Sequence, residues 1–129
     1  PEITEELLKV HQYNVACTSS LSQIAGFEAL TGPQECVEEM VAEFKRRRDL
    51  IVKRLNEIGI PFKAPKGAFY AFPKVDNSFE FVNEALNAGV IIVNGASFGK
   101  CGEGHFRISY AAAYEKLAEA MDRLETIEI

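Results

Sequence analysis

At 129 residues, with 47% hydrophobic and 26% charged side chains, the sequence has the size and composition of one folded domain, and it contains no apolar run long enough to cross a bilayer. Its formal net charge of -5 at pH 7 argues against nucleic acid as a partner, because phosphate binding depends on an excess of basic residues. A small molecule or another protein is therefore the expected partner.

The first part of the sequence predicts two short helices. Ile3 to Leu8 has the pattern of a helix start with Thr4 as its cap. Ser20 to Gln23 matches a capping box, which predicts a second helix that ends at Thr31. The sequence begins at Pro1 rather than Met, and its first stretch is typical of mid-chain sequence, so we expect it to be a piece of a longer protein.

The longest predicted element is a helix over residues 33 to 59. Its apolar residues recur at three- and four-residue steps, which is typical of an amphipathic helix that lies against a sheet or another helix. A basic run, Lys45 to Arg48, raises the alternative of a nucleic-acid-binding surface. Asp49 stands four residues before Lys53, and other acids have similar spacings, so we interpret the run as a solvated helix face with paired charges.

The second half of the sequence predicts a small sheet. Ile60 to Ala64 and Ala68 to Phe72 fit an antiparallel hairpin, and Val90 to Val93 fits a further strand. Within the hairpin, Phe69 and Tyr70 would point to opposite faces, one lining the core and the other a neighbouring cleft. Two aromatic rings that only pack against their neighbours explain the same pattern.

A last strand, His105 to Tyr110, follows a glycine-rich loop, and alternation along it places Phe106 and Ile108 on one face and Arg107 on the other. Further amphipathic helices are predicted over Ser78 to Asn87 and at the end of the sequence. Together the elements predict an α/β fold of the α+β type. Its sheet is small, mixed and largely antiparallel, and it packs against a long helix and two further helices.

Arg107 is the residue that most needs an explanation. A guanidinium cannot lose its proton, so an arginine that is held away from bulk water needs an anion, and its planar fork fits a carboxylate at two points. Arg107 is therefore the candidate residue for binding a carboxylate. From the residues alone, an exposed strand arginine without a ligand is the alternative.

Other motifs in the sequence are incomplete. Gly95 to Lys100 has three residues between its glycines where a phosphate loop has four, and a strand follows it instead of a helix. Gly102 to Arg107 lacks the third glycine of a dinucleotide-binding fingerprint. His11 and His105 have no spacing to a nucleophile that would form a catalytic triad. We interpret the glycines as positions where the backbone turns and approaches a ligand or another segment closely.

The cysteine pattern indicates neither zinc nor a disulfide framework. There are three cysteines, an odd number, with no CxxC spacing: Cys17, Cys36 and Cys101. We expect free thiols in a reducing cytoplasm and no metal site.

Three motifs in order carry a family resemblance: Lys66-Gly67-Ala68-Phe69-Tyr70-Ala71-Phe72-Pro73, Asn94-Gly95-Ala96-Ser97-Phe98-Gly99 and Gly102-Glu103-Gly104-His105-Phe106-Arg107-Ile108-Ser109-Tyr110-Ala111. The sequence resembles the C-terminal part of fold-type I, pyridoxal-phosphate-dependent aminotransferases of the aspartate and aromatic amino acid group. Residues 14 to 59 are similar to that family as well. Asn94 is a departure, because the family usually has a proline before this glycine.

The resemblance implies roles for two residues and a domain boundary. In the family, the arginine of the Arg-Ile-Ser-Tyr-Ala strand, here Arg107, binds the α-carboxylate of the amino acid or 2-oxo acid substrate. Phe69 matches an aromatic residue that borders the substrate. Residues 1–31 would be the tail of the large cofactor domain, and residues 32–129 the small, substrate-capping domain.

The resemblance also implies an incomplete enzyme. Transamination needs pyridoxal 5'-phosphate and a lysine that forms a Schiff base with it. The family supplies that lysine from an N-terminal large domain, and no lysine of this sequence matches its motif. We therefore expect no catalytic residue here, an inactive chain in isolation, and a cytoplasmic homodimer as the full enzyme. The alternative is a non-catalytic module of the same fold that binds carboxylates or proteins. The amino acid used is left open.

Overall fold

A computed structural model of the chain describes residues 2–127. The chain divides into two compact units, Pro1–Val37 and Glu38–Ile129. The first unit contains helix α1 (Glu2–Asn14), helix α2 (Ser20–Thr31) and the start of helix α3 (Glu35–Glu57). Across residues 2–127, no helix combines the length and the apolar character that a membrane crossing requires.

The two N-terminal helices begin differently from the prediction. Helix α1 contains 13 residues, and Thr4 lies inside it rather than at its cap. No described side chain caps the first turn of α2. Gln23 instead donates from Nε2 to the carbonyl oxygen of Thr18 at 2.9 Å. The predicted capping box is therefore wrong, whereas the predicted end of α2 at Thr31 is confirmed.

Helix α3 is the longest element, as predicted, although it starts at Glu35, later than expected. Asp49 accepts hydrogen bonds from Nζ of Lys45 at 2.7 Å and from Nη2 of Arg48 at 2.9 Å. Lys53 is the predicted partner of Asp49. Its Nζ instead lies 3.7 Å from the carboxylate of Glu57, so that predicted pairing is wrong. The basic run is nevertheless paired within its own helix, which supports the interpretation as a solvated face.

Glu43 gives α3 a measurable pH dependence. Nε of Arg46 and Nε of Arg47 donate to its carboxylate at 2.8 and 2.7 Å, and these hydrogen bonds lower the pKa of Glu43 from 4.5 to about 2. Because the folded pKa is depressed, the stabilisation is fully present above pH 4.5 and is lost as the pH falls towards 2. We expect Glu43→Gln to flatten the pH dependence of stability in that window.

Thermal unfolding between pH 2 and 5, together with an NMR titration of the Glu43 carboxyl group, checks this expectation. Glu84→Gln is the matched control, because Glu84 is exposed and forms no ion pair within residues 2–127. A Glu43 titration midpoint near 4.5 would contradict the pairing.

The sheet of the second unit has three short strands: β1 (Tyr70–Ala71), β2 (Val93–Asn94) and β3 (Phe106–Ser109). They lie in the order β1-β3-β2, and both outer strands run antiparallel to β3. The central strand is therefore the one that carries Arg107. The predicted α/β fold with a small, largely antiparallel sheet is confirmed.

The predicted hairpin is wrong. Residues 60–64 form no strand in the described chain, and Ala68 to Phe72 contributes only β1, which pairs with β3. Two features explain the error. Ile60 donates its N–H back to the carbonyl oxygen of Leu55 at 2.9 Å, closing the end of α3. Pro61, and Pro65 directly after the segment, have no N–H to donate to a ladder.

The core lies between the inner face of the sheet and the helices. Phe106 and Ile108 of β3 are buried, as the alternation predicts, and the ring of Phe106 lies 4.7 Å from that of Phe81. The helices that cover this face are α3, α4 (Ser78–Asn87) and α5 (Tyr114–Leu124), which contribute Ile51, Leu55, Phe81, Ala85, Leu117, Met121 and Leu124. Three helices on the inner face leave the outer face of the sheet open.

Candidate functional site

The outer face of the sheet carries the candidate site. Side chains alternate along a strand, so Arg107 points away from the core that Phe106 and Ile108 enter. Tyr70 lies on the neighbouring strand β1, and Val93 of β2 stands directly opposite Arg107. The predicted placement of Arg107 on the face opposite the core is therefore confirmed.

Two aromatic rings hold the guanidinium of Arg107. Its Cζ atom lies 4.5 Å from the ring centroid of Tyr70 and 4.5 Å from that of Phe98. Tyr70 comes from β1, and Phe98 comes from a single 3-10 turn, Gly95–Phe98, that follows β2. Since β1 and β2 flank β3, the two rings reach Arg107 from opposite sides. The contacts are of the cation–π type and leave the side chain half-buried.

The guanidinium of Arg107 has no anionic partner in the part of the chain that is described. Within residues 2–127, no carboxylate lies at ion-pair distance from it, and no oxygen accepts a hydrogen bond from its N–H groups. The other arginines each pair with a carboxylate at 2.9 Å or less: Arg46, Arg47, Arg48, Arg54 and Arg123. Arg107 therefore keeps its five N–H donors for a ligand.

Tyr110 fixes the turn that precedes β1. Its Oη donates to the carbonyl oxygen of Ala68 at 2.9 Å, and its backbone N–H donates to the carbonyl oxygen of Phe69 at 2.9 Å. Ala68 has a φ of 61°, in the left-handed region that costs a non-glycine residue roughly 1 to 2 kcal/mol. Burial raises the pKa of Tyr110, which keeps its hydroxyl protonated as a donor. These bonds hold the chain where Tyr70 meets Arg107.

Phe69, the second candidate residue, contacts the ring of Tyr70, which in turn contacts Arg107. Its ring centroid is 4.5 Å from that of Tyr70 and 6.0 Å from that of Phe44 in α3. Phe69 and Tyr70 are 39% and 37% exposed and pack against neighbouring rings, so neither lines the core and the alternative of two packing aromatics holds. The left-handed turn at Ala68 explains why simple alternation does not hold here. Phe69 borders a groove of about 500 Å³ beside α3.

Phe72, Phe98 and His105 also surround Arg107, and the sequence did not predict this cluster. Phe72 stacks on the imidazole of His105 at 5.3 Å and meets the ring of Phe98 edge-on at 5.9 Å. Nδ1 of His105 lies 2.9 Å from the carbonyl oxygen of Glu103, and because a carbonyl only accepts, Nδ1 carries the proton. Tyr70 and Phe72 are two positions apart, and in an extended chain this spacing places both rings on one face, here the face of Arg107. This spacing could have predicted the cluster.

The loop between β2 and β3 positions Phe98 through a close backbone contact. Gly95 donates its N–H to the carbonyl oxygen of His105 at 2.7 Å, and a Cβ at Gly95 would lie 2.6 Å from that oxygen and closer still to the carbonyl oxygen of Gly102. Oδ1 of Asn94 accepts from the N–H of Ala96 at 2.9 Å, which closes the first turn of the loop where the family usually has a proline. The predicted close approach of the glycines is confirmed.

The lysines and the metal-binding side chains do not converge on this face. All lysines are exposed: Lys9, Lys45, Lys53, Lys63, Lys66, Lys74, Lys100 and Lys116. Among residues 2–127, no group of three or more His, Cys, Asp or Glu side chains could hold a metal ion. The face therefore offers one unpaired guanidinium surrounded by aromatic rings, an arrangement suited to a ligand with a carboxylate.

Curated proteins that are named as aminotransferases are similar in sequence to this chain. The aromatic-amino-acid aminotransferase 2 of Thermococcus litoralis is 46% identical over 97% of this chain. The aspartate aminotransferase of Pyrococcus abyssi is 48% identical, also over 97% of this chain. Each match covers 34% of the relative, so the chain spans about a third of the length of the curated relatives that it matches.

Solved structures share the fold. The aromatic aminotransferase from Pyrococcus horikoshii superposes with a TM-score of 0.85 at 48% identity, covering 94% of this chain and 34% of that one. The alanine aminotransferase from Pyrococcus furiosus superposes with a TM-score of 0.86 at 42% identity, covering 96% of this chain and 33% of that one. The family model for aminotransferase class I and II matches residues 2–124. The chain belongs to the class I and II aminotransferase family.

Proposed function

We propose that this chain is the part of a transaminase that binds the α-carboxylate of the substrate, in an enzyme that moves an amino group between an amino acid and a 2-oxo acid. The observation that carries the proposal is the unpaired guanidinium of Arg107 on the open face of the sheet. Every amino acid and every 2-oxo acid has an α-carboxylate, and the fork of an arginine binds such a group through two parallel N–H···O bonds.

In this proposal Arg107 orients the substrate as well as binding it. A contact at two oxygens fixes the plane of the carboxylate and the position of the adjacent Cα, which restricts the direction of the α C–H bond. Tyr70 and Phe98 lie against the guanidinium and shield part of it from water, and partial shielding strengthens the charge-assisted contact. Phe69, next to Tyr70, would border the substrate.

The family implies pyridoxal 5'-phosphate, which supplies an electron sink for the carbanion formed at Cα. The residues of this chain do not fit the attachment of that group. A Schiff-base lysine must lose its proton near neutral pH, which burial or a neighbouring cation favours, yet every lysine of the chain is exposed. We therefore assign the lysine and the cofactor site to parts of the protein outside this sequence.

The proposed domain assignment gives residues 1–31 to the end of the large cofactor domain and residues 32–129 to the small domain that closes on the substrate. One observation supports a two-part chain: its residues form two compact units, which divide between Val37 and Glu38 rather than after residue 31. The curated relatives are about three times as long, which leaves room for the rest of a large domain. We also propose that the full enzyme is a cytoplasmic homodimer, as the family resemblance implies.

Comparing the full-length protein with the 129-residue chain tests the function. Each is incubated with pyridoxal phosphate, an amino acid donor and 2-oxoglutarate, and both the Schiff-base absorption and the transfer of the amino group are recorded. We expect both signals from the full-length protein and neither from the chain alone. Amino transfer by the chain alone would show that the lysine assignment is wrong. No transfer by the full-length protein with any common amino acid would overturn the proposed function.

A second candidate is a non-catalytic module that binds carboxylates or proteins. The exposure of Tyr70 and Phe98 favours this candidate, because a carboxylate can reach Arg107 beside these rings without a cofactor. This candidate predicts that a full-length protein binds 2-oxoglutarate, with a loss of binding in Arg107→Gln, and yet transfers no amino group. The same experiment therefore separates the two candidates.

A further inference from the structure

We infer that Tyr70 and Phe98 are positioning residues that hold the guanidinium of Arg107 between their rings and make the site selective for a planar carboxylate over a tetrahedral anion. We call these two rings the aromatic clamp. The inference rests on the proposed function, since it takes the ligand of Arg107 to be the α-carboxylate of the substrate.

The geometry of the aromatic clamp is nearly symmetrical. The Cζ atom of Arg107 lies 4.5 Å from each ring centroid. In the described chain, the ring partners of Tyr70 and Phe98 are Phe69 and Phe72, and the two clamp rings do not contact each other. Two rings that both touch one cation without touching each other lie apart around it, and we infer that they cover its two faces. The strand order β1-β3-β2, which brings them from opposite edges, gives the same result.

Aromatic rings hold an arginine in a way that leaves its donors free. Attraction between a ring face and a cation uses no N–H group, whereas an acid partner would occupy the fork and neutralise its charge. Arg46 shows the contrast within this chain. Its Cζ lies 3.8 Å from the ring centroid of Tyr114, but its N–H groups are also bonded to Glu43. Among residues 2–127, Arg107 is the one arginine that contacts rings and has neither a hydrogen bond nor an ion pair.

The clamp rings are themselves supported. The ring of Tyr70 lies 4.5 Å from that of Phe69, and the turn before it is held by Tyr110. Phe98 meets the ring of Phe72 edge-on at 5.9 Å. A guanidinium between two supported rings is oriented before the ligand arrives, so less rotamer entropy is lost when it binds.

The position of the rings restricts how an anion can approach. With both sides of the guanidinium covered, a ligand reaches the N–H groups along the edges of the plane. The two oxygens of a carboxylate lie in that plane and accept both N–H groups. A phosphonate has a third oxygen outside the plane, directed towards a ring. The aromatic clamp therefore discriminates between these anions in addition to binding them.

The test uses the full-length protein and two ligands that differ in the acid group at Cα: L-glutamate as the amino donor, and its α-phosphonate analogue, 1-amino-3-carboxypropylphosphonate, as an inhibitor. The substitutions are Tyr70→Leu and Phe98→Leu, which remove a ring, and Tyr70→Phe, which keeps it. Phe79→Leu is the matched control, because Phe79 is 71% exposed and has no ring partner in the described chain.

We expect each leucine substitution to raise the KM for L-glutamate about tenfold while kcat changes less than about twofold, because the loss is in ligand binding. The ratio of the phosphonate inhibition constant to this KM should fall towards one. Phe79→Leu should retain the wild-type KM and ratio, and Tyr70→Phe, which keeps the ring, should raise the KM less than Tyr70→Leu does. Phe98 is half exposed, so Phe98→Leu decides the result if Tyr70→Leu does not fold.

Two outcomes would overturn the inference: an unchanged KM in the leucine variants, or equal losses for both ligands with an unchanged ratio, since a merely structural role weakens both alike. Arg107→Lys separates the inference from the proposed function. If Arg107→Lys has no effect on KM or kcat, the proposed function fails. If it has a strong effect and the leucine variants have none, only the aromatic clamp fails.

Discussion

Arg107→Gln in the full-length protein is expected to lower kcat/KM for the amino acid donor by roughly two to four orders of magnitude, because two charge-assisted hydrogen bonds to the carboxylate are lost and each is worth about 1.5–3 kcal/mol. Glutamine keeps a polar side chain but is shorter, and it has neither the charge nor the fork. Since Arg107 forms no internal ion pair within residues 2–127, its replacement leaves no carboxylate unpaired there, and the fold should be retained.

Steady-state kinetics with matched variants check the prediction. Arg107→Lys keeps the charge and loses the two-point geometry, so its kcat/KM should fall between those of the wild type and Arg107→Gln. Arg123→Gln is the control, because Arg123 lies on α5 with its side chain 47% exposed and pairs with Glu119. Its kinetics should stay within about twofold of wild type. A folded Arg107→Gln protein with wild-type kinetics would remove Arg107 from the substrate site.

The face on which Arg107 lies could be predicted from the sequence because it depends only on local geometry. Alternation along β3 buries Phe106 and Ile108 whatever strands lie beside it, so Arg107 must point the other way. The same holds for the helices, whose apolar periodicity predicted α3, α4 and α5. These features can be predicted without knowing which segments of the chain pack together.

The neighbours of Arg107 could not be predicted in this way, because they depend on strand order. The hairpin prediction assumed that adjacent segments pair, whereas β1 crosses to β3 and brings Tyr70 with it. Phe98 reaches the guanidinium from a 3-10 turn beyond the other edge strand. The left-handed φ of Ala68 also lies outside any periodic pattern, and it explains why Phe69 and Tyr70 both stay on the surface.

The glycine loop could be predicted from the sequence only in part. The sequence shows that close backbone approaches are needed somewhere among its glycines, but only the structure shows that Gly95 and Gly102 meet each other. A side chain at either position would point directly at backbone atoms of the other, which cannot rotate away as a side chain can. This contact is therefore the part of the site that is most sensitive to a single added carbon.

Gly102→Ala is accordingly expected to destabilise the protein by about 2–4 kcal/mol, through overpacking against the Gly95 backbone and loss of the bond from the Gly95 N–H to His105. Urea unfolding measures the change. Gly67→Ala is the matched control, because nothing lies within 4 Å of a Cβ at Gly67, and its stability should change by less than about 1 kcal/mol. Equal stability of the two variants would contradict the close contact.

The same substitution connects the stability of the loop to the site. The 3-10 turn that ends at Phe98 begins at Gly95, so moving the Gly95 backbone moves a ring that contacts Arg107. At temperatures where Gly102→Ala is still folded, we expect the KM for L-glutamate to rise towards that of Phe98→Leu. A destabilised Gly102→Ala protein with a wild-type KM would show that the loop serves folding alone, and that the ring of Phe98 keeps its place without the glycine contact.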